Sequence, residues 1–269
     1  MPIFVIISIS LSSERDILRN GYWFFPRAFS LEGYQTIFKS PAAILRSYQV
    51  SFITTTCGCI LGVIVSSLIA YPLSRQSFRF KGVVSFLVFF TMLFNGGLVP
   101  WYMVVTRVLG LGNSILALIL PYVFSAWYIL LLRTYFKRVP LELIESAYMD
   151  GANEPVIFSR IIVPLSKPAI ATIALFYLLR YWNDWWLALL YIDDQKLAPL
   201  QFTLHRIMAN ILFITQMMPD ATIDLNTGLM PNETVRMAMC MVACGPMLFV
   251  FPFFQKYFVK GITVGALKG

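Results

Sequence analysis

Charged side chains are scarce in this sequence. Asp, Glu, Lys and Arg make up 13% of the 269 residues, whereas a soluble domain carries about 25%. Hydrophobic residues make up 58%, and the mean hydropathy is +0.73. A chain of this composition would expose large apolar patches in water, and a disordered chain needs low hydrophobicity. The composition therefore excludes a soluble or a disordered protein and indicates an integral membrane protein.

Residues for metal binding and catalysis are equally few. His205 is the single histidine, and the four cysteines Cys57, Cys59, Cys240 and Cys244 fall in apolar stretches without a further Cys or His nearby. We expect these cysteines to be small buried hydrophobic side chains, and we predict no metal site and no catalytic residue. The sequence contains no Ser/His/Asp set and no carboxylate pair, which argues against a membrane enzyme.

The net charge of +8 and the pI of about 9.4 need an explanation. In a soluble protein they would suggest nucleic acid as a partner. In a membrane protein, basic loops that face the cytoplasm and anionic lipid account for them. We therefore expect the lipid bilayer as a partner and no nucleic acid.

Five stretches are long enough to span a bilayer, which takes about 20 apolar residues. They are residues 48–71, 82–106, 108–132, 168–192 and 237–255. Residues 1–13 carry no charge but are too few to span, and we interpret them as the outer end of a truncated first helix. The prediction is an all-α polytopic transmembrane helical bundle of six helices in a single domain, residues 1–269.

The distribution of Lys and Arg predicts the orientation. Segments 72–82, 133–167 and 256–269 hold 11 of these residues in 60 positions, whereas segments 14–46, 107 and 193–236 hold 9 in 78. Because Lys and Arg concentrate on the cytoplasmic side, both termini are predicted to be cytoplasmic, with an outer loop at 193–236 and a cytoplasmic tail at 256–269. In the outer loop, Leu200, Leu204, Ile207 and Ile211 recur at helical spacing.

Two predicted spans carry helix-breaking residues. With the truncated first helix counted as the first span, residues 82–106 are the third span, and Asn95-Gly96-Gly97 and Pro100 interrupt it. Pro246 and Pro252 fall in the last span. Breaks at membrane depth are tolerated where they pack in protein or line a cavity. An ordinary kink is the alternative for each.

The segment 139–165 lies between the fourth and fifth spans and predicts two short helices. Pro140 suits a first helical turn, and Leu141, Ile144 and Tyr148 recur at helical spacing with Ala147 on the same face. Gly151 can take the left-handed conformation that ends a helix. We expect Pro155 to open the second helix and Pro164 to stop it. Two apolar faces in the cytosol need a partner, so this segment is predicted to be a docking element.

These residues resemble a known motif. Glu145-Ser146-Ala147, Asp150-Gly151-Ala152, Phe158, Ile161 and Pro164 are similar to the EAA loop of ABC-importer permeases, with Ser146 replacing an Ala of the motif. Two other segments resemble maltose-type sugar permeases: Tyr181-Trp182-Asn183-Asp184-Trp185, and the end of the chain from Phe254 to Gly269.

The resemblance implies a type I ABC-importer permease fold and a permease subunit in a bacterial inner membrane. It implies a second homologous permease, two ATPase subunits that bind ATP and Mg, and an extracytoplasmic solute-binding protein. No G-x-x-x-x-G-K-[ST] phosphate loop occurs in the sequence, so no cofactor is expected in this chain. The residues implied in ATPase coupling are Glu145, Ala147, Asp150, Gly151, Ala152, Phe158, Ile161 and Pro164.

The fifth predicted span carries the candidates for a substrate pathway. Arg180 lies about 18 Å into this span, where a charge is costly and faces a cavity or a partner. Alternatively, Arg180 and Asp184 neutralise each other at i,i+4. Tyr181, Trp182 and Asn183 add the aromatic faces and the amide that bind sugars. A pathway arginine would fit an acidic oligosaccharide such as a uronate polymer fragment, whereas a neutral oligosaccharide is the default for the family.

Other functions remain open at this point. The same fold could import a peptide or a metal, although the sugar-type segments weigh against it. A secondary transporter would predict inverted repeats and more intramembrane carboxylates, of which Asp184 is the only clear one. The prediction is a permease subunit of an ATP-driven oligosaccharide importer.

Overall fold

The computed structural model describes residues 2–217 and 233–266, and their regular structure is helical apart from one isolated bridge between Ser12 and Phe29. This architecture confirms the predicted all-α fold class. The α-helices are α1 (Pro2–Ser10), α2 (Glu14–Asn20), α3 (Glu32–Ile37), α4 (Pro41–Ser74), α5 (Lys81–Leu93), α6 (Leu98–Met103), α7 (Ile115–Val123), α8 (Ala126–Phe136), α9 (Leu141–Met149), α10 (Glu154–Ile157), α11 (Val163–Leu165), α12 (Lys167–Trp182), α13 (Trp186–Tyr191), α14 (Leu200–Met217) and α15 (Glu233–Ala266). Two π turns, Val104–Val108 and Phe158–Ile162, and the 3-10 turn Gln195–Leu197 complete the described helical structure.

Within the described residues, two helices are long and apolar enough to cross a membrane, namely α4 and the Glu233–Val250 part of α15. Three bent helix pairs also qualify if each pair is one span: Lys81–Leu93 with Leu98–Val108, Ile115–Val123 with Ala126–Phe136, and Glu154–Leu165 with Lys167–Trp182. The structure therefore supports between two and five spans. The nine residues of α1 cover about 14 Å, so the truncated first span stays a prediction.

The predicted spans are interrupted at three places. The third span breaks between Leu93 and Leu98 with a 114° bend, as Asn95-Gly96-Gly97 predicts. The fourth span breaks after Val123 with a bend of 48°, which was not predicted. Pro121 lies inside α7 and removes a helical hydrogen bond just before this break. The fifth span does not run to residue 192, because α12 ends at Trp182 and Asn183 leaves the helical conformation.

The last helix is longer than predicted. α15 continues through Pro246 and Pro252 to Ala266, so a break at these prolines is wrong and the alternative, an ordinary kink, stays a prediction. Its 34 residues would extend about 51 Å, more than the ~30 Å hydrocarbon core, and residues 256–266 of the predicted tail are helical. Residues 218–232 of the predicted outer loop and 267–269 of the tail lie outside the described residues.

The chain packs as two compact units. The first unit comprises Met1–Ser51 and Asp184–Phe251. In it, the buried Glu14 carboxylate accepts hydrogen bonds from the backbone N–H of Glu233 (3.0 Å) and from the N–H and hydroxyl of Thr234 (both 2.9 Å). These bonds satisfy donors at the start of α15 that have no partner within the helix. The sequence-predicted helix of the outer loop is α14, on which Leu200, Leu204 and Ile211 are buried.

The second unit comprises Phe52–Asn183 and Pro252–Gly269 and holds an extensive apolar core. Residues of α4, α8, α9 and α12 build this core together with the segment after Gly151. Its fully buried members include Leu73, Ile129, Leu132, Ile157, Ile162 and Tyr177.

The cysteines do not follow the expectation of burial. Cys57 and Cys244 are exposed, and Cys59 and Cys240 are half-buried. The exposed pair lies on long apolar helices, and such helices in a membrane protein can direct apolar side chains outward, because lipid is as apolar as the core. Among the described residues, no three His, Cys, Asp or Glu side chains form a group that could hold a metal ion.

Candidate functional site: the turn at Gly151 and the Arg180 region

The segment 139–165 contains the predicted helix and glycine turn. α9 covers Leu141–Met149, and Gly151 adopts φ +79° directly after it. The N–H of Ala152 donates to the carbonyl of Ala147 (2.9 Å), and the N–H of Gly151 donates to the carbonyl of Tyr148 (3.0 Å). This pair of bonds is the Schellman arrangement, which satisfies the last carbonyls of a helix and requires a left-handed residue.

The second helix of this segment begins where the sequence predicts. Asn153 precedes α10, and its side-chain carbonyl accepts from the N–H of Val156 (3.2 Å), while Pro155 occupies the first turn. The second helix ends one residue after Pro164, at Leu165, close to the predicted stop. A π turn at Phe158–Ile162 leads into α11, and the helical path ends at Ser166, where it bends by 82° into α12. Pro164 is tolerated because it lies in the first turn of α11, where a helical N–H is not required.

The apolar surface of α9 is divided between the core and the outside. Ile144 and Ala147 are buried in the core. Leu141 and Tyr148, predicted on the same face, are exposed, as are Leu143 and Met149, the last with 89% of its surface exposed. The helix therefore keeps an apolar surface that no described residue covers.

The predicted coupling residues fall into three groups by exposure. Glu145, Asp150, Gly151 and Pro164 are exposed. Ala152, Phe158 and Ile161 are half-buried against the core, and Ala147 is buried. The two carboxylates therefore lie on the outside of a turn that is anchored in the core.

Sequence reasoning did not find a polar cluster beside this turn. The Glu154 carboxylate accepts hydrogen bonds from the hydroxyls of Tyr71 and Tyr148. Arg75 donates to the Tyr71 hydroxyl (3.1 Å), and its Nη2 lies 3.9 Å from Glu154 Oε2. Phe158 places its ring 5.0 Å from the Tyr71 ring, centroid to centroid. The i,i+4 spacing of Tyr71 and Arg75 was the only available signal, and it does not identify their acidic partner.

The electrostatics of this cluster favour an ionised Glu154. Burial opposes ionisation of the carboxyl, but the hydrogen bonds from Tyr148 and Tyr71 and the charge of Arg75 outweigh it, so the pKa of Glu154 lies below its usual value. The hydrogen bond to Glu154 and partial burial raise the pKa of Tyr148. At neutral pH the carboxylate is therefore charged and both tyrosines are hydrogen-bond donors.

The Arg180 region lies at the other end of α12. The Arg180 side chain is exposed, and its guanidinium carbon lies 3.9 Å from the centroid of the Tyr122 ring. This distance is within the range of a cation–π interaction. Arg180 also shares a side-chain hydrogen bond with Tyr128, and its other N–H groups at the ring edge can bind a carboxylate.

The two aromatic residues after Arg180 are packed inside the chain. Tyr181 and Trp182 are each 4% exposed, and the Tyr181 hydroxyl donates to the carbonyl of Ile119 (2.7 Å). The Tyr181 ring lies against Gly58, where a Cβ atom would come within 2.4 Å of it. In this conformation both residues position α12 instead of presenting a face to solvent.

Asn183 and Asp184 follow the end of α12. Asn183 is exposed, and its Nδ2 donates to the carbonyl of Leu179 (2.8 Å). Asp184 Oδ2 accepts from the N–H of Leu187 (3.1 Å) at the start of α13. Because α12 ends at Trp182, the helical i,i+4 stagger that would place Arg180 beside Asp184 does not continue to residue 184.

The long apolar helices and the bent helix pairs of the described residues define this chain as a helical membrane protein. The profile of the binding-protein-dependent transport system inner membrane component family matches residues 58–264. The chain belongs to this family and is therefore a permease component of an ABC importer. Members of the family work with a binding protein, a second permease and ATPase subunits.

Curated relatives share the full length of the chain. It is 39% identical over 270 residues to the polygalacturonan/rhamnogalacturonan transport system permease protein YtcP of Bacillus subtilis, covering 100% of this chain and 92% of YtcP. It is 36% identical over 269 residues to Protein LplC of the same organism, covering 100% of this chain and 89% of LplC.

A solved structure shares the fold. It is a chain of a bacterial ABC transporter involved in the import of the acidic polysaccharide alginate, with a TM-score of 0.81 and 31% identity. The match covers 96% of this chain and 90% of that chain.

Proposed function

We propose that this permease carries an acidic oligosaccharide, with Arg180 as a contact for substrate carboxylates. The observation that carries the proposal is the exposed guanidinium of Arg180 stacked on Tyr122. An arginine that faces lipid at membrane depth is costly, so an exposed arginine there faces a cavity or a partner. Guanidinium groups bind carboxylates through two parallel hydrogen bonds.

The substrates of two similar transporters support the same substrate class. One relative transports polygalacturonan and rhamnogalacturonan, and the transporter of similar structure imports the acidic polysaccharide alginate. Polygalacturonan is a uronate polymer, and its fragments would present a regular row of carboxylates to a pathway cation. Asn183, exposed three residues after Arg180, adds an amide for sugar hydroxyls, and Tyr181 and Trp182 would act by positioning the helix.

The segment 139–165 is the proposed contact with an ATPase subunit. Its exposed apolar surface, formed by Leu141, Leu143 and Met149, has the character of a docking face. Glu145 and Asp150 border this face and would pair with basic groups of the ATPase. ATP and Mg would be bound by two ATPase subunits, and this chain would have no ATP site of its own.

The proposed topology follows the Lys and Arg distribution. The whole chain, residues 1–269, would form one transmembrane permease domain with a cytoplasmic C-terminus. The outer loop 193–236 would receive the solute-binding protein, and the tail 256–269 would extend toward the ATPases. A second homologous permease would complete the pathway.

The decisive test is uptake by proteoliposomes that contain the complete transporter. We expect Arg180→Gln to reduce uptake of a galacturonate oligosaccharide about tenfold or more, because one charge-assisted pair is lost, while Arg180→Lys retains part of the activity. Arg107→Gln is the matched control, since Arg107 is also exposed and its replacement removes the same charge.

Two outcomes would contradict the proposed substrate class. Near-normal uptake of the uronate oligosaccharide by Arg180→Gln would exclude a role for this charge. Restoration of uptake in the double variant Arg180→Gln/Asp184→Asn would show that Arg180 only neutralises Asp184.

A further inference from the structure

The Glu154 carboxylate joins three elements that are far apart in the sequence. One carboxylate oxygen accepts from Tyr71 on α4, and the other accepts from Tyr148 on α9, whereas Glu154 itself begins α10. Both halves of the glycine turn are thereby tied to the end of a long apolar helix. We name the set Tyr71, Arg75, Tyr148 and Glu154 the clamp.

The charge of the clamp is balanced locally. Arg75, one helical turn after Tyr71, has only 11% of its side chain exposed and donates to the Tyr71 hydroxyl. Its guanidinium also lies over the Tyr71 ring, 5.0 Å from the centroid. A charged acceptor makes each tyrosine hydrogen bond stronger than a neutral pair would, and the bond to Tyr71 lies on the partly buried side of the clamp.

The clamp adjoins a groove and an aromatic contact. The groove has a volume of about 510 Å³ and is lined by Tyr71, Arg75 and Glu154 of the clamp together with Leu68, Ser77, Phe78 and Pro155. The Tyr71 ring packs against Phe158, which in turn lies 6.5 Å from the Phe136 ring. The hydroxyl of Tyr71 can therefore be removed while the ring keeps its packing.

α12 and α4 differ in how they are connected to the glycine turn. α12 is covalently continuous with the turn through the bend at Ser166. α4 has no such continuity, since Tyr71 and Glu154 are 83 residues apart. A displacement of the turn reaches α4 only through noncovalent contacts, and the clamp is the polar and directional part of them.

We infer that the clamp makes the end of α4 move together with the 139–165 segment, so that a motion imposed on this segment displaces α4 as well as α12. Tyr71, Arg75 and Glu154 are positioning residues in this sense. The inference rests on the proposed function, because it takes the segment 139–165 as the ATPase contact.

The test uses the complete transporter in nanodiscs with its ATPases, partner permease and binding protein. Tyr71→Phe keeps the ring on Phe158 and removes one donor, and Glu154→Gln keeps the shape and removes the charge. In each variant, we expect the rate of ATP hydrolysis stimulated by substrate-loaded binding protein to fall roughly tenfold. Basal hydrolysis and complex assembly are expected to be unchanged. The double variant is expected to be no worse than either single variant, since both break the same contact.

A distance measurement separates this role from a loss of stability. Spin labels would be placed at Leu68 and Ser159, both exposed, in a transport-competent background without the four native cysteines. We expect the label distance to stay constant between the nucleotide-free and the vanadate-trapped state in the otherwise unaltered chain. In Glu154→Gln the distance is expected to change on trapping. Ser77→Ala, which alters the same groove outside the clamp, is expected to behave as the unaltered chain.

The outcomes distinguish a failure of the clamp inference from a failure of the proposed ATPase contact. If Gly151→Pro abolishes stimulation while Tyr71→Phe and Glu154→Gln retain it, the clamp inference is wrong and the ATPase contact stands. If Gly151→Pro also retains normal stimulation, the proposed ATPase contact itself is wrong. A label distance that responds to trapping equally with and without Glu154→Gln would also overturn the clamp inference.

Discussion

Two glycines of α4 lie directly under tyrosine rings of α12. A Cβ atom at Gly62 would come within 2.6 Å of the Tyr177 ring, and one at Gly58 within 2.4 Å of the Tyr181 ring. Neither ring can move away easily. Tyr177 is fully buried, and its hydroxyl donates to the carbonyl of Val123 (2.9 Å) and lies 2.8 Å from Ser66 Oγ. Glycine at these positions is required by the close approach of the two helices.

This contact leads to a prediction for stability. Gly62→Ala is expected to destabilise the chain by about 1–3 kcal/mol through overpacking, measured as a lower midpoint of thermal unfolding in detergent. Gly82→Ala is the control, because nothing lies within 4 Å of a Cβ at Gly82 and alanine favours a helix. Equal melting of the two variants would contradict the close packing of α4 and α12.

At the scale of elements, the glycine turn after α9 controls how the 139–165 segment is presented. Gly151→Pro removes an N–H that donates to Tyr148 and fixes φ near −65° where the turn has +79°. We expect intact membrane insertion and loss of ATPase stimulation by the loaded binding protein. Gly151→Asn, which tolerates the left-handed conformation, is expected to retain most of the stimulation.

The clamp adds a prediction for pH dependence at the same scale. The pKa of Glu154 is lowered in the folded chain. A lowered carboxyl pKa contributes stability that is fully present above the ordinary pKa of about 4.3 and is lost as the pH falls through the folded value. Hydrogen-exchange protection of the α9–α10 backbone is therefore expected to be constant from about pH 8 to pH 5 and to decline below about pH 4. In Glu154→Gln this decline should be absent; the same decline in the variant would assign it to another group.

At the scale of the whole molecule, the length of α15 carries it beyond one bilayer thickness. Its 34 residues correspond to about 51 Å, which is more than the ~30 Å hydrocarbon core. Deletion of residues 261–269 is expected to reduce ATPase turnover while the complex still assembles, because the proposed tail contact with the ATPases is lost. Unchanged turnover after the deletion would identify the segment as an unengaged terminus.

Local patterns were sufficient for the fold class and for the turn at Gly151. A long apolar stretch must satisfy its backbone within a helix in a membrane, and a left-handed turn after a periodic segment favours glycine. For the same reason, the break at Asn95-Gly96-Gly97 was predictable. The break after Val123 and the continuation of α15 through Pro246 and Pro252 were not, because the effect of a proline depends on the packing around it.

The sequence by itself determined that this chain is a helical membrane permease, since composition, apolar stretches and the motif around Gly151 are all local. Only the tertiary structure decided which polar residues meet. It buried Tyr181 and Trp182, ended α12 before Asp184, and brought Tyr71 to Glu154 across 83 residues. Contacts of this kind depend on how helices approach one another, as at Gly58 and Gly62, and hydrophobic periodicity carries no information about the partner helix.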